Sequence, residues 1–467
     1  MSHEITDLSA IALLNHYRNR TLSPVEVVQA TLQRIATYEK WVNAFVLVDE
    51  ERAIADARAS EDRWFRGKPS GIVDGIPTTV KDLLLTQGWP TLRGSKAIFP
   101  DQDWNDDAPA VAQLRSQGAI FLGKTTTSEF GWKGVTESPL TGITRNPWNL
   151  DRTPGGSSGG AAVAAALGLG SLHVSTDGGG STRLPAALTG VFGFKPTFGR
   201  VAGYPSAHTS TLFHIGATTR TVEDAALLMN AIAHPDPRDW YALPDDHQDY
   251  LQNLAAGVSG LRIAYSPRLG YAEVDPEVAQ RVESAVAVLR ALGAVVETVD
   301  PGFENPFPTF RIFWITGAAK LLRSFSEAQR ALVEPGLQAS AEAGEHITLE
   351  EYQTALDHRE ALGRQMSLFH QKYDLLLTPT LPVTAFPVGH SYPPSDRYSA
   401  GLSWTPFTYP FNLTQQPAAS VPCGFTREGL PVGLQIVGAK YQDALVLRAA
   451  KAYETVHPFK FPANVAN

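Results

Sequence analysis

Lys81, Ser157 and Ser181 are the residues whose types and surroundings could do chemistry. Both serines stand in one stretch, Thr153 to Arg183, which reads T-P-G-G-S-S-G-G-A-A-V-A-A-A-L-G-L-G-S-L-H-V-S-T-D-G-G-G-S-T-R. Two Gly/Ser loops, Gly155–Gly160 and Gly178–Ser181, flank a segment of small residues. Glycine loses the most conformational freedom on folding. A chain tolerates that density where backbone N–H groups must turn toward something negative. One loop is therefore expected to carry a nucleophilic serine with its own oxyanion donors, and the other a relay serine. A serine at its ordinary pKa is a weak nucleophile and needs a base. Neither loop has an S-x-x-K partner, and the candidate base is Lys81, set in an apolar run. Two readings of that lysine stay open. Its stem packs on a sheet while the amine reaches water, or it is desolvated, neutral and able to accept a proton.

Other motifs compete for attention. Gly118-Ala-Ile-Phe-Leu-Gly123-Lys124-Thr125 satisfies the phosphate-loop spacing. Its four central residues form an apolar, strand-like run, and the β-branched Thr125–Thr127 opens no good helix, so a phosphate cradle is not expected. Gly155-Gly-Ser157-Ser-Gly159 satisfies G-x-S-x-G. That elbow requires a strand directly before the serine, and Leu150–Pro154 makes a poor one. His208 or His214 could supply a base there, but both read better as structural or pocket residues.

The elements that must hold these residues alternate. Ser23-Pro24-Val25-Glu26 is a capping box with proline at the first helical position. A second helix is expected from Asp49 to about Gly67. Pro77 cannot join a ladder from inside a central strand, which places a turn there and a strand over Thr79–Leu84. A helix over Ala108–Gln117 and a strand over Ala119–Gly123 follow, and the alternation suggests βα units. Gly159–Leu169 is too rich in small apolar residues for a surface helix and reads as buried. Strands are expected over Ser171–Ser175 and Val191–Lys195, and a helix capped at Thr221. Leu261–Tyr265, Ala294–Val299, Leu375–Leu377, Ala418–Val421 and Gly433–Val437 read as strands. Asp275–Leu292, regions near Glu327–Gln338 and Thr348–Gln371, and Asp443–Tyr453 read as helices. No internal repeat or linker interrupts the chain. One α/β domain over 1–467 is expected, with N-terminal helices (1–70), a core (71–235), a variable substrate-shaping region (236–400) and a C-terminal return to the sheet (401–467).

The 467 residues are 43% hydrophobic and 18% charged, the balance of a globular protein with a large core. No apolar run approaches the ~20 residues of a membrane span. Met1–Asn15 has Glu4 and Asp7 and no basic-then-apolar leader pattern, so a cytoplasmic protein is expected. The single cysteine, Cys423, fits a reducing compartment. No His/Cys spacing suits a metal, and neither a metal nor a cofactor is expected. A net charge of −8 without a basic stripe argues against nucleic-acid binding.

Three long stretches resemble the amidase signature family. They are Gly75-Ile-Pro-Thr-Thr-Val-Lys81-Asp82, Arg145 through Gly160, and Thr176-Asp-Gly-Gly-Gly-Ser181-Thr-Arg183-Leu-Pro-Ala186. Asn412-Leu-Thr-Gln-Gln-Pro-Ala-Ala-Ser-Val-Pro422 and Gly429 through Val437 add to the likeness, which is weakest over 235–400. The resemblance implies an α/β/α fold on a large mixed sheet and a Ser–cis-Ser–Lys triad without histidine. Position by position, it implies Ser181 as nucleophile, Ser157 as the serine after a cis bond from Gly156, and Lys81 as base. Ser158 is implied as a supporting hydrogen-bonder. The backbone N–H groups of Gly178, Gly179, Gly180 and Ser181 are implied as the oxyanion hole, and Asp177 and Arg183 as braces of that loop. The family more often carries threonine or another side chain where Gly178 stands, and isoleucine where Thr182 stands. The extra glycine is expected to widen or loosen the loop.

Family members act on aliphatic, aryl, fatty-acid, peptide and lactam-like amides, and some on carbamates or esters. Phe130, Trp132, Tyr204, Phe213, Phe310, Phe313 and Trp314 are candidates for a pocket wall. A free-standing hydrolase of small amides, carbamates or esters is expected, as a monomer or homodimer. The alternatives are the glutamine-hydrolysing component of a tRNA-dependent amidotransferase, and a non-catalytic binding module of the same fold.

Overall fold

The computed structural model describes residues 5–398, 401–463 and 465, so the expected boundary at residue 400 lies outside the described residues. The strands are β1 (Phe45–Val48), β2 (Pro77–Lys81), β3 (Ile120–Thr125), β4 (Glu137–Ser138), β5 (Gly142–Ile143), β6 (Leu172–Asp177) and β7 (Phe192–Lys195). They continue as β8 (His214–Thr219), β9 (Arg262–Tyr265), β10 (Val295–Thr298), β11 (Leu375–Pro379), β12 (Ala418–Phe425) and β13 (Pro431–Gly438). Among the described residues, eleven of them form one sheet in the order β1-β3-β2-β6-β8-β7-β12-β13-β11-β9-β10, and β4 pairs with β5 alone. The sheet is mixed. β1 at one edge is antiparallel to β3; β3, β2 and β6 run parallel beside it, as do β11, β9 and β10 at the other end, with antiparallel pairs between.

Side chains alternate between two faces, as the strand period of two requires. Leu375 and Leu377 enter one apolar cluster with Ile263, Val80, Phe121 and Val174. Leu376, with Ala264, Ala418 and Val437, enters another on the opposite face. Helices cover both faces. Pro109–Ser116, Val222–Ile232, Pro276–Ala291 and Asp443–Val456 pack in the first cluster. Phe307–Arg323 and Leu349–Phe369 pack in the second. The helix Gly159–Ala166 is buried along its whole length, as its small residues demand. The Ser23–Glu26 capping box forms, with Glu26 N–H on Ser23 Oγ at 3.2 Å and Ser23 N–H on Glu26 Oε2 at 2.8 Å.

Three sequence expectations need correction. Pro77 opens β2, and the strand ends at Lys81 rather than running to Leu84. A missing N–H is tolerated at the first residue of a strand, and a turn closed by Leu84 N–H on the Lys81 carbonyl (3.1 Å) stops the ladder. β8 has no counterpart among the expected strands, because His214–Thr219 carries little apolar alternation, yet it fills the gap between β6 and β7. The helix Phe307–Arg323 has no counterpart among the expected helices. Its aromatic and β-branched residues have modest helix propensity, and packing against the sheet overrides it.

Candidate active site

The neighbouring parallel strands β2 and β6 end side by side, with Val80 in register with Val174. Lys81 is the last residue of β2, and β6 runs out into the loop Gly178–Ser181. Ser157 and Ser158 sit just ahead of the helix Gly159–Ala166, which leads back into β6. The carboxyl ends of parallel strands are where open α/β sheets place ligands.

The Lys81 side chain is fully buried, 0% exposed. Its Nζ lies 2.7 Å from Ser157 Oγ, 2.7 Å from Ser158 Oγ and 3.0 Å from Thr176 Oγ1. All three neighbours are hydroxyls. Ser158 donates its own proton to the Thr176 carbonyl at 3.0 Å, so its oxygen accepts from Lys81. A neutral amine then keeps one lone pair for the proton of Ser157. Burial pushes the Lys81 pKa well below its usual value, and the more distant charge of Asp177 opposes this only in part. The desolvated reading of the lysine therefore fits its surroundings, and the solvent-reaching one does not.

The first serine loop is tightly seated. Its Gly156–Ser157 peptide is cis. Thr136 Oγ1 donates to the Gly155 carbonyl (2.8 Å) and accepts from Gly159 N–H (2.8 Å). A Cβ on Gly156 would meet the Val135 backbone at 2.4 Å, so no side chain fits there. Ser158 N–H donates to the Ser181 carbonyl at 3.1 Å and ties the two serine loops together.

The second loop is braced from beneath by an ion pair. Arg183 Nε and Nη2 meet Asp177 Oδ2 and Oδ1, both at 2.9 Å, with both side chains 0% exposed. Burial alone would raise the Asp177 pKa. The guanidinium of Arg183, then Lys195 and Asn412, outweigh it and hold the carboxyl well below the usual range. Asp177 Oδ1 accepts from Gly180 N–H at 2.7 Å. This corrects the expected oxyanion hole, because the Gly180 amide is spent on Asp177. Among the described residues, the N–H groups of Gly178, Gly179 and Ser181 have no hydrogen-bond partner and remain available. Thr408 Oγ1 donates to the Gly179 carbonyl at 2.7 Å, fixing that peptide.

Four polar residues of this network have no role in the sequence reading. Thr176 holds Lys81. Asn412 Nδ2 donates to Asp177 Oδ1 at 2.9 Å, and its Oδ1 accepts from Arg183 Nη2 at 2.6 Å. Gln435 Oε1 accepts from Arg183 Nη1 at 2.8 Å, and Thr408 adds its carbonyl at 3.1 Å. The available signal was that Asn412 and Gln435 fall inside the two C-terminal stretches that resemble the amidase signature family.

A cavity of about 270 Å³ opens over both loops, lined by Ser157, Thr176, Gly178 and Ser181. Among the described residues, the Ser181 hydroxyl has no hydrogen-bond partner and faces this space. Of the expected wall residues, Phe130, Tyr204, Phe213 and Trp314 line it. Trp132, Phe310 and Phe313 do not. Trp132 lies behind Trp314, whose Nε1 donates to its carbonyl at 3.1 Å. Phe310 packs beneath Gly179 and stacks on Trp314 with centroids 5.2 Å apart. Phe313 turns away to Tyr352 and Arg359. One turn of the Phe307–Arg323 helix thus sends neighbouring aromatics in different directions. At Gly178 a Cβ would stand 3.2 Å from the Trp314 ring, so the indole takes the room that the missing side chain leaves.

The rival motifs find other employment. Residues 120–125 form β3 rather than a phosphate loop, and Lys124 pairs with Asp82 at 3.0 Å. His214 Nδ1 lies 2.8 Å from the Leu212 carbonyl, and burial keeps the ring neutral. His208 lines the cavity, its pKa pulled to about 4 by burial, then by Arg93 and Lys320. Neither imidazole is hydrogen-bonded to Ser157 or Ser181. Among the described residues, no cluster of His, Cys, Asp or Glu is placed to hold a metal, and no helix is long and apolar enough to cross a membrane.

A sheet of this order with a lysine and two serine loops at its strand ends defines a class. The chain belongs to the amidase family, whose model matches residues 26–447, and it is an amide-hydrolysing enzyme. Among particular relatives, it is 37% identical to an acylamidase of Rhodococcus erythropolis over 98% of this chain and 97% of that one. It is also 37% identical to a component of the glutamyl-tRNA(Gln) amidotransferase of Chloroflexus aurantiacus, over 93% of each chain. The structure superimposes on that of a bacterial aryl acylamidase of the amidase signature family with a TM-score of 0.90. That match has 32% identity and covers 97% of this chain and 96% of the other.

Proposed function

We propose that this amidase hydrolyses small amides, aryl amides among them, through an acyl-enzyme on Ser181. The observation that carries the reading is the buried Lys81 amine, 2.7 Å from Ser157 Oγ and surrounded by hydroxyls, beneath a cavity that Ser181 also lines. Ser181 Oγ attacks the acyl carbon and passes its proton to Ser157, whose own proton moves to Lys81. Hydrogen bonds in such relays often close only when substrate arrives. The oxyanion forms against the free N–H groups of Gly178, Gly179 and Ser181, each worth about 2.7–4 kcal/mol when well placed. Collapse breaks the C–N bond, and Lys81 returns its proton through Ser157 to the leaving nitrogen. Water, deprotonated by the same relay, then cleaves the Ser181 ester and regenerates the hydroxyl.

Phe130, Tyr204, Phe213 and Trp314 give the cavity an aromatic wall, which suits an aryl or apolar group. Carbamates and esters present the same acyl carbon to the same loop. The test is turnover of an aryl amide by the purified chain, with intact-mass detection of an acyl adduct. Loss of both in Ser181→Ala is expected, and wild-type-like turnover in that variant ends the reading. The likeness to an amidotransferase component supports a second reading, in which glutamine is the amide donor. Glutaminase activity that requires a partner protein, with no aryl amidase activity of the chain alone, would establish that one instead. Failure of a fluorophosphonate to label Ser181 in the folded chain would revive the alternative of a non-catalytic binding module.

A further inference from the structure

The cavity over Ser181 is lined by two cations, Arg93 and Lys320, and by no carboxylate. Arg93 comes from the connection between β2 and the helix Pro109–Ser116, and Lys320 from the helix Phe307–Arg323. Arg93 holds a left-handed backbone, φ 56°, which a residue with a side chain adopts only where its surroundings enforce it. The enforcement is visible on both sides of its Cα. The Arg93 carbonyl accepts from Phe130 N–H at 2.8 Å, and Gly94 N–H donates to Asp82 Oδ2 at 3.3 Å. Asp82 itself is engaged by Lys124 at 3.0 Å. Among the described residues, the Arg93 guanidinium has neither an ion pair within 4 Å nor a hydrogen bond, the Asp82 charge acting on it only from farther off, and Lys320 has no ion pair. A second cleft touching Arg93 contains Asp103 and Asp106, and neither pairs with it. Both charges act on His208, which lines the same wall and is held neutral partly by them. A half-buried guanidinium without a close partner is stabilised when something negative joins it.

We propose that Arg93 and Lys320 form a subsite for a carboxylate or similar anion borne by the substrate. The favoured amides then carry a negative charge a few bonds from the scissile C–N bond. The inference rests on the reading that Ser181 attacks the amide in this cavity, and it narrows the substrate class. Arg93 supplies a planar fork that matches a carboxylate. Lys320, exposed at the rim, adds a point charge. A cavity of about 270 Å³ keeps the anion near the reacting bond.

Calorimetric binding to the Ser181→Ala chain reads this subsite without turnover. The probes are two matched pairs, meta-acetamidobenzoate against meta-acetamidobenzamide, and N-phenylsuccinamate against its primary amide. They place the charge on the amine side and the acyl side respectively. At least one acid is expected to bind about 10–100-fold tighter than its neutral twin, the range of a charge-assisted pair. Adding Arg93→Gln removes that preference and weakens the neutral compound far less than the acid. Lys320→Met, at an exposed site where folding is not at stake, reduces the preference about threefold, as a rim charge does. Equal binding of acid and neutral twin overturns the proposal. So does no detectable binding of either acid, or an equal effect of Arg93→Gln on both members of a pair. Steady-state rates of the unmodified chain on the same pairs separate the two readings. Charge-selective binding without turnover sinks the hydrolase reading and keeps the anion site. Ser181-dependent turnover without charge preference does the reverse.

Discussion

Lys81 and Lys124 lie on adjacent parallel strands, one register step apart, and both are fully buried. Burial lowers the pKa of each. Their partners differ. Lys124 meets the Asp82 carboxylate at 3.0 Å, the carbonyls of Leu84 and Pro90 at 3.2 Å each, and Thr91 Oγ1 at 2.6 Å. Carboxylate and carbonyls can only accept, so Lys124 must donate, and its charge is compensated where it stands. Among the described residues, Lys81 meets only hydroxyls, which can donate or accept, so it can lose its proton without stranding a neighbour. Desolvation is common to the two sites, and the hydrogen-bonding capacity of the partners separates a structural cation from a candidate base.

Removing each lysine breaks this comparison most directly. Lys81→Met is expected to lower kcat on an aryl amide by about 10⁴-fold or more, the scale of losing a triad member. Its melting temperature should fall less than that of Lys124→Met, since it leaves hydroxyls short of a partner but strands no carboxylate. Lys124→Met should instead strand Asp82 and cost about 3–5 kcal/mol of stability, with kcat per folded molecule retained. Thermal unfolding and active-site titration distinguish the two, and a similar kinetic collapse in Lys124→Met would erase the distinction.

The next effect is on pH. A base that works neutral loses activity as it is protonated, so log kcat/KM should fall with unit slope as pH drops below the Lys81 pKa. That pKa lies well below the usual lysine value, and Asp177, held low by Arg183, stays ionised throughout. An acid limb that already sets in near pH 10, where an unshifted lysine titrates, would contradict a neutral lysine.

Smaller changes probe the braces. Asn412→Ala leaves Asp177 and Arg183 short of partners and should cost about 1–3 kcal/mol in unfolding experiments, with a lower kcat as the oxyanion loop slackens. Gly178→Ala pushes a methyl against the Trp314 ring. About tenfold in kcat/KM should be lost, from overpacking of roughly 1–3 kcal/mol, and Trp314→Ala in the same chain should restore part of it. Smallest of all, His214→Gln should change kcat by less than about tenfold, far short of the loss expected of a base. A larger loss there would point to a histidine mechanism.

The lysine and the two serine loops stood out because glycine and serine runs have few other physical uses, and because a lysine in an apolar strand demands a reason. The Ser23 cap and the small-residue helix were legible for similar local reasons. What bounds the space beside Gly178 was not legible, since it is Trp314, 136 positions away (314 − 178). Phe313 and Trp314 look equivalent in sequence, yet the helix that carries them aims only Trp314 at the cavity.

Local chemistry in the sequence alone determined the class of residues: a serine loop rich in N–H donors, a second serine, a lysine in an apolar strand, and acid and arginine around them. Tertiary structure decided which of those groups are spent and which are free. It spends the Gly180 amide on Asp177, and it gives Lys81 hydroxyls where Lys124 receives a carboxylate. Among the described residues, it also leaves Arg93 without a close ion pair in the cavity wall. Those assignments depend on partners from distant segments, and no local pattern encodes which donor meets which acceptor once the sheet has closed.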